Sequence, residues 1–142
     1  MSIQFFNEDV SKPLLNYDVI SKVLKQVIRT NKSKLGDINY IFCSDEYLLQ
    51  LNMKFLRHDY FTDVITFDYS ENVLVSGDIY ISTDRVKQNA GTYGQLYETE
   101  LLRVISHGLL HLLKFNDKEE SEIEIMRLKE SELIENIISF SI

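Results

Sequence analysis

Asp63-Val64-Ile65-Thr66-Phe67-Asp68-Tyr69, with the β-rich run of residues 73–83 that follows it, decides how this chain folds. Both runs are dense in β-branched and aromatic residues, and a short polar turn separates them, so they pair as an antiparallel hairpin. Upstream of the hairpin, residues 2–7 and 37–43 read as strands. Between them Val19, Ile20, Val23, Leu24, Val27 and Ile28 recur with helical period, which predicts an amphipathic helix over 17–31. Ser44 or Asp45 caps a further helix carrying Leu48, Leu49, Leu51 and Phe55. Downstream, Asp84 caps a short helix to about Asn89, and Gly91–Gly94 forms a loop. One long helix then covers Tyr97–Leu113 and a last one Lys118–Ile138. The alternation of strands and helices predicts an α/β (α+β) fold. It has one domain spanning 1–142, a mixed four-stranded sheet and about five covering helices.

The bulk composition narrows the classes. At 142 residues and 44% hydrophobic content the chain can bury a sizeable core. No apolar stretch approaches the ~20 residues of a membrane span, and the N-terminus lacks the basic start and apolar run of a signal peptide. The single cysteine, Cys43, falls inside a strand and reads as a buried free thiol. These features predict a cytoplasmic protein without a membrane partner. The net charge of −7 advertises no general affinity for DNA or RNA. The charge is uneven: Lys22, Lys25, Arg29, Lys32 and Lys34 cluster early, whereas eight acidic and three basic residues follow from Asp117 onward. The early cluster is either a local phosphate-binding stripe or the solvated face of a helix.

The chemistry concentrates in His107-Gly-Leu-Leu-His111-Leu-Leu-Lys-Phe-Asn-Asp117. Histidines four apart lie one turn apart on the same helix face, within reach of one tetrahedral metal. A turn at Lys114–Asn116 would return the Asp117 carboxylate to the same ion, with Asn116 taking the left-handed helix-end conformation. Asp117 also reads as the N-cap of the next helix. Three protein ligands leave a fourth position for water, the pattern of a catalytic zinc site. Gly108 costs about 1 kcal/mol against alanine within a helix, so something must approach that backbone closely. The residue after His107 is not glutamate, so the base of the HExxH proteases is missing.

These residues resemble the signature of the YbeY family of bacterial endoribonucleases, HGxLHLxGYDH. His107, Gly108, Leu110, His111 and Leu112 match; Lys114, Phe115, Asn116 and Asp117 stand for the family's Gly, Tyr, Asp and third His. Leu51-Asn52 and Thr62–Phe67 are similar to the family's LN…TDVLSF block, Gly77–Ser82 to its GDIxIS strand, and Met126 and Glu130 to its M-x-x-x-E pattern. The blocks keep the family's order and spacing from about residue 50 to 135.

The resemblance implies a zinc-dependent single-strand endoribonuclease with one Zn²⁺ per chain held by His107, His111 and Asp117. It also implies action in small-subunit ribosomal RNA 3′-end maturation and ribosome quality control, with single-stranded RNA and the small ribosomal subunit as partners. The family's arginine place is occupied by Leu56, with Arg57 adjacent. Arg57 or His58 is therefore the candidate for reaching substrate phosphate, and Thr62 and Asp63 are candidates for shaping the substrate site. Asp78 and Ser82 read as sheet residues bordering the cleft, and Glu100 as either a metal-site neighbour or a surface residue. Two other readings stand beside this one: a zinc hydrolase acting on a peptide or small amide, and a non-catalytic assembly factor with a structural metal.

Overall fold

The computed structural model describes residues 1–141. The elements run β1 (Ile3–Asn7), α1 (Tyr17–Thr30), β2 (Lys34–Cys43), α2 (Asp45–Leu56), β3 (Val64–Asp68), β4 (Leu74–Ser82), α3 (Thr83–Thr92), α4 (Tyr97–Leu112) and α5 (Glu120–Ser141). The four strands form one mixed sheet in the order β1-β2-β4-β3. The predicted hairpin is present: β3 and β4 are antiparallel, with Val64 opposite Ile81 and Asp68 opposite Gly77. The other two pairings, β1 with β2 and β2 with β4, are parallel. Each parallel pairing needs a crossover; α1 supplies the first, and α2 with β3 the second.

Period-two alternation sorts the strand residues between two faces. Ile38, Tyr40 and Phe42 of β2 and Val75, Ile79 and Ile81 of β4 enter the main core with residues of α1, α4 and α5. Cys43 and Ile65 pack on the opposite face with Leu48 of α2, beside Phe67 and Tyr80. The Cys43 thiol is fully buried, and burial pushes its pKa up to about 12, so it is an inert core residue. Helix α4 is buried on nearly all sides, from Leu101 to Leu112. It lies between the sheet and α5, and the Tyr40 hydroxyl donates to its Ile105 carbonyl at 2.8 Å.

Gly108 explains how closely α4 sits on the sheet. A Cβ there would meet Ile79 Cγ2 at 2.8 Å. What approaches the backbone between the two histidines is therefore a β4 side chain, and the glycine is spent on helix–sheet packing. Gly77 serves the same contact from the strand side, where a Cβ would meet the Phe67 carbonyl oxygen at 2.6 Å and Leu112 Cδ2 at 2.8 Å.

Two predicted boundaries are corrected, and one open choice is resolved. Ser82, and not Asp84, caps α3, accepting from the Arg85 N–H at 3.0 Å; Asp84 instead accepts from the Asp45 N–H. The helix continues through Gly91 and Thr92, so the loop begins at Tyr93; glycine weakens a helix without forbidding its last turn. For α2 the cap is Ser44, which accepts from the Tyr47 N–H at 3.1 Å. The early lysine and arginine cluster is exposed on α1, the turn after it and the first residue of β2.

A candidate metal centre at the end of helix α4

Helix α4 ends in a Schellman turn. The Phe115 N–H bonds the Leu110 carbonyl and the Lys114 N–H the His111 carbonyl, each at 3.0 Å. The left-handed residue is Lys114, with φ of 72°, and not Asn116. The helix stops two residues earlier than that reading required, so Lys114 occupies the position where its geometry demands positive φ. Asp117 does not cap α5 either. Glu119 takes that place, and its N–H donates to the Glu122 carboxylate at 2.9 Å. Asp117 is thereby free to face the histidines.

Three donor atoms converge. His107 Nε2 and His111 Nε2 are 2.9 Å apart, and Asp117 Oδ2 lies 3.4 Å from each. Donors at tetrahedral corners about 2.0–2.1 Å from zinc stand roughly 3.3–3.4 Å apart, so the set fits a single ion. The outer hydrogen bonds fix the tautomers. His111 Nδ1 faces the Phe115 carbonyl oxygen at 3.2 Å, which only accepts, so that nitrogen carries the proton. His107 Nδ1 donates to Glu130 Oε2 at 2.6 Å, and the other Glu130 oxygen accepts from Arg103 Nη1 at 3.1 Å. Both neutral rings therefore aim Nε2 lone pairs at one another, and something positive must sit between them: a proton or a metal ion.

The titration behaviour follows from the same contacts. Burial opposes charging of His107, but the hydrogen bond and charge of Glu130 outweigh it and raise the pKa. Burial and then the neighbouring His107 lower that of His111. A proton shared by the two rings is therefore favoured on His107 over His111. An ion displaces that proton and takes the same lone pairs.

Two cavities meet at this centre. An inner lobe of about 520 Å³ is lined by Glu100, Arg103, Arg127 and Glu130, with Tyr93 and Gln95 at its far side. An outer lobe of about 550 Å³ is lined by Asn52, Leu56, His58, Tyr60, Thr62 and Thr66. Asp63, Val64, His107 and Asp117 border both. Burial raises the Asp63 carboxyl pKa, with His107 pulling it back.

Of the residues singled out by sequence, His58, Thr62 and Asp63 line the outer lobe together with the three donors. Arg57 caps α2 in the left-handed conformation, with φ of 56°, and lines neither lobe. Asp78 accepts from Asn39, and Ser82 donates to Asp45, so neither borders the cleft. Glu100 is not a surface residue: it is 8% exposed and faces the inner lobe, where burial raises its pKa. Sequence reasoning missed Arg103 and the role of Glu130. Met126 and Glu130 were recognisable only as a spacing pattern, and nothing in sequence tied Glu130 to a histidine 23 residues away.

Two histidines of α4 and a carboxylate from the turn after it, gathered at an open cleft beside the sheet, form a set able to hold a metal ion, as in a metal-dependent hydrolase. The family model described as endoribonuclease YbeY matches residues 4–138, and the chain belongs to that family. It is 47% identical over 131 residues to the endoribonuclease YbeY of Parabacteroides distasonis, covering 92% of each chain. It is 49% identical over 130 residues to that of Cytophaga hutchinsonii, covering 91% of each. A solution structure of a Thermotoga maritima protein superposes with a TM-score of 0.67 at 26% identity, over 95% of this chain and 88% of the other. Among the described residues no helix is long and apolar enough to cross a membrane.

Proposed function

We propose that this protein, acting as one YbeY-like unit over residues 1–142, is a zinc-dependent endoribonuclease. Its substrate is single-stranded RNA, and it matures the 3′ end of small-subunit ribosomal RNA and serves ribosome quality control. The small ribosomal subunit is its partner and the cytoplasm its compartment. The observation that carries the reading is the convergence of two oriented Nε2 lone pairs and one carboxylate oxygen at the junction of two lobes. Family membership supplies RNA as the substrate class.

His107, His111 and Asp117 would hold the ion. A bound zinc there supplies Lewis-acid polarisation of a phosphoryl oxygen and acidifies water. The protein's own groups set the stage. Glu130 holds the His107 Nδ1 proton, Arg103 holds Glu130, and the Phe115 carbonyl holds the His111 Nδ1 proton. Asp63, with its raised pKa and its position between the lobes, is placed to exchange a proton with substrate. His58 is the group that meets the scissile phosphate from the outer lobe, and Arg57, beside it in the chain, lies outside both lobes. Thr62 lines the approach. With a net charge of −7, binding to naked RNA depends on this local site, so its salt dependence is modest.

The test is metal analysis of protein purified without chelator or histidine tag, followed by cleavage of a single-stranded RNA. About one zinc per chain and cleavage in wild type, with both lost in Asp117→Ala, are expected. Loss of ribosome association in His111→Ala, rather than of RNA cleavage alone, would overturn the enzymatic reading, whereas ribosome binding that survives while ribosomal RNA processing fails supports it. Zinc-dependent cleavage of casein without cleavage of RNA would replace the substrate class.

A further inference from the structure

We infer that His58 and Tyr60 form a platform on which one unpaired base of the substrate stacks, next to the nucleotide being cut. The inference deepens the endoribonuclease reading and rests on it. The two rings are stacked, with centroids 5.1 Å apart and planes 19° from parallel, and the Tyr60 hydroxyl bonds His58 Nδ1 at 2.9 Å. The rings are offset from one another, and Tyr60 keeps 55% of its surface open. The pair lines the same outer lobe as His107, His111 and Asp117.

The loop that carries the pair is held firmly. Asn52, only 1% exposed, donates from its side-chain amide to the Tyr60 carbonyl at 2.9 Å, and its own carbonyl accepts from the His58 N–H at 3.1 Å. A buried residue thus fixes both ends of the pair, so the rings need little ordering when a ligand arrives.

The electrostatics of the lobe select a base over a second phosphate. Beyond the scissile group, which the metal and His58 address, the described residues lining this lobe include Asp63, Asp68 and Asp117 but no lysine or arginine. The arginines Arg103 and Arg127 face the inner lobe. A flanking phosphate has no counter-charge in the outer lobe, whereas a base presents a neutral π-face. Stacking on an aromatic ring is tolerant of sequence, and the lobe would position the strand without reading it.

The experiment is a cycle between protein and substrate variants, using zinc-loaded protein and a single-stranded RNA whose nucleotides are made abasic one at a time around the cut. In wild type, one position should raise KM by about 5- to 150-fold, the loss expected for one stacked base. Tyr60→Ala should raise KM by a similar factor on intact RNA, with little further loss when that position is abasic. Tyr60→Phe, which keeps the ring, should restore most of the affinity. Melting temperature and zinc content monitor folding of each variant. Independent, multiplying losses, an equal loss at every position, or a Tyr60→Phe defect as large as that of Tyr60→Ala would each overturn the platform while leaving the nuclease reading intact. Failure of wild type to bind or cut any RNA would remove both.

Discussion

Replacing Glu130 by glutamine tests whether the convergence of donors at α4 is a metal site held from outside. Glu130 is 4% exposed and sits 2.6 Å from His107 Nδ1, so solvent screens the contact little. Losing an outer partner of a metal-bound histidine costs about 10–100-fold in metal affinity. The size of the loss should itself vary with pH, because one carboxylate favours both a proton and an ion at Nε2. At alkaline pH His107 is neutral in either protein, and Glu130→Gln shows the full deficit. At acidic pH the wild-type ion must first displace a proton that Glu130 stabilises. The mutant, with a lower His107 pKa, escapes part of that competition, and the two affinity curves converge as pH falls. In metal-free protein the same raised pKa is a stability contribution. It is fully present below the unfolded value of about 6.5 and lost as pH rises through the higher folded value. Competition of protein with a chromophoric zinc chelator between pH 5.5 and 8.5, conditions spanning the histidine range, provides the readout. Equal affinities at every pH, or a deficit that does not shrink on acidification, would refute the assignment of Glu130.

Three further outcomes are expected. Asp117→Ala should lower zinc affinity by more than the roughly 10–100-fold typical of outer partners, and Asp117→His should recover most of it, read by the same competition. Gly108→Ala sets about 1–3 kcal/mol of overpacking against Ile79 against about 1 kcal/mol of helix propensity. The net is a loss of roughly 0–2 kcal/mol, visible as a lower urea midpoint at unchanged slope; a gain in midpoint would contradict the packing account. Asn52→Ala, which removes the amide that holds the Tyr60 carbonyl, should cost about 1–3 kcal/mol and raise KM for RNA more than it lowers kcat.

Local signals carried much of the fold. Residues 63–83 announced a hairpin because β-branched runs and a polar turn are sufficient to specify one, and α1 was legible from its apolar period. The parallel pairings of β2 were not, since strand order is decided by which faces the crossovers bury. His107, His111 and Asp117 could be named because four-residue spacing and a short turn are local geometry. The turn was placed one way and built another: left-handed backbone fell on Lys114, a residue type with no preference for it, because the helix ended where Leu112 met the sheet. Arg103 escaped notice, the role of Glu130 went unread and Glu100 stood between two readings, all for the opposite reason. Arg103 and Glu130 pair across two helices and Glu100 is buried at the inner lobe, and charge on a helix reads as solvated until the packing is known.

Strand β3 is the last in the sheet, and its free edge borders the outer lobe. An unpaired edge is a template for another strand, and proteins commonly bury or twist such edges to avoid joining their neighbours. On the function proposed above, substrate access forbids a cover. The edge is kept to five residues and ends in Asp68, which Lys114 pairs. Brevity and charge at the rim disfavour pairing of this edge with another strand, and lengthening β3 with apolar residues would trade solubility for nothing that the cleft can use.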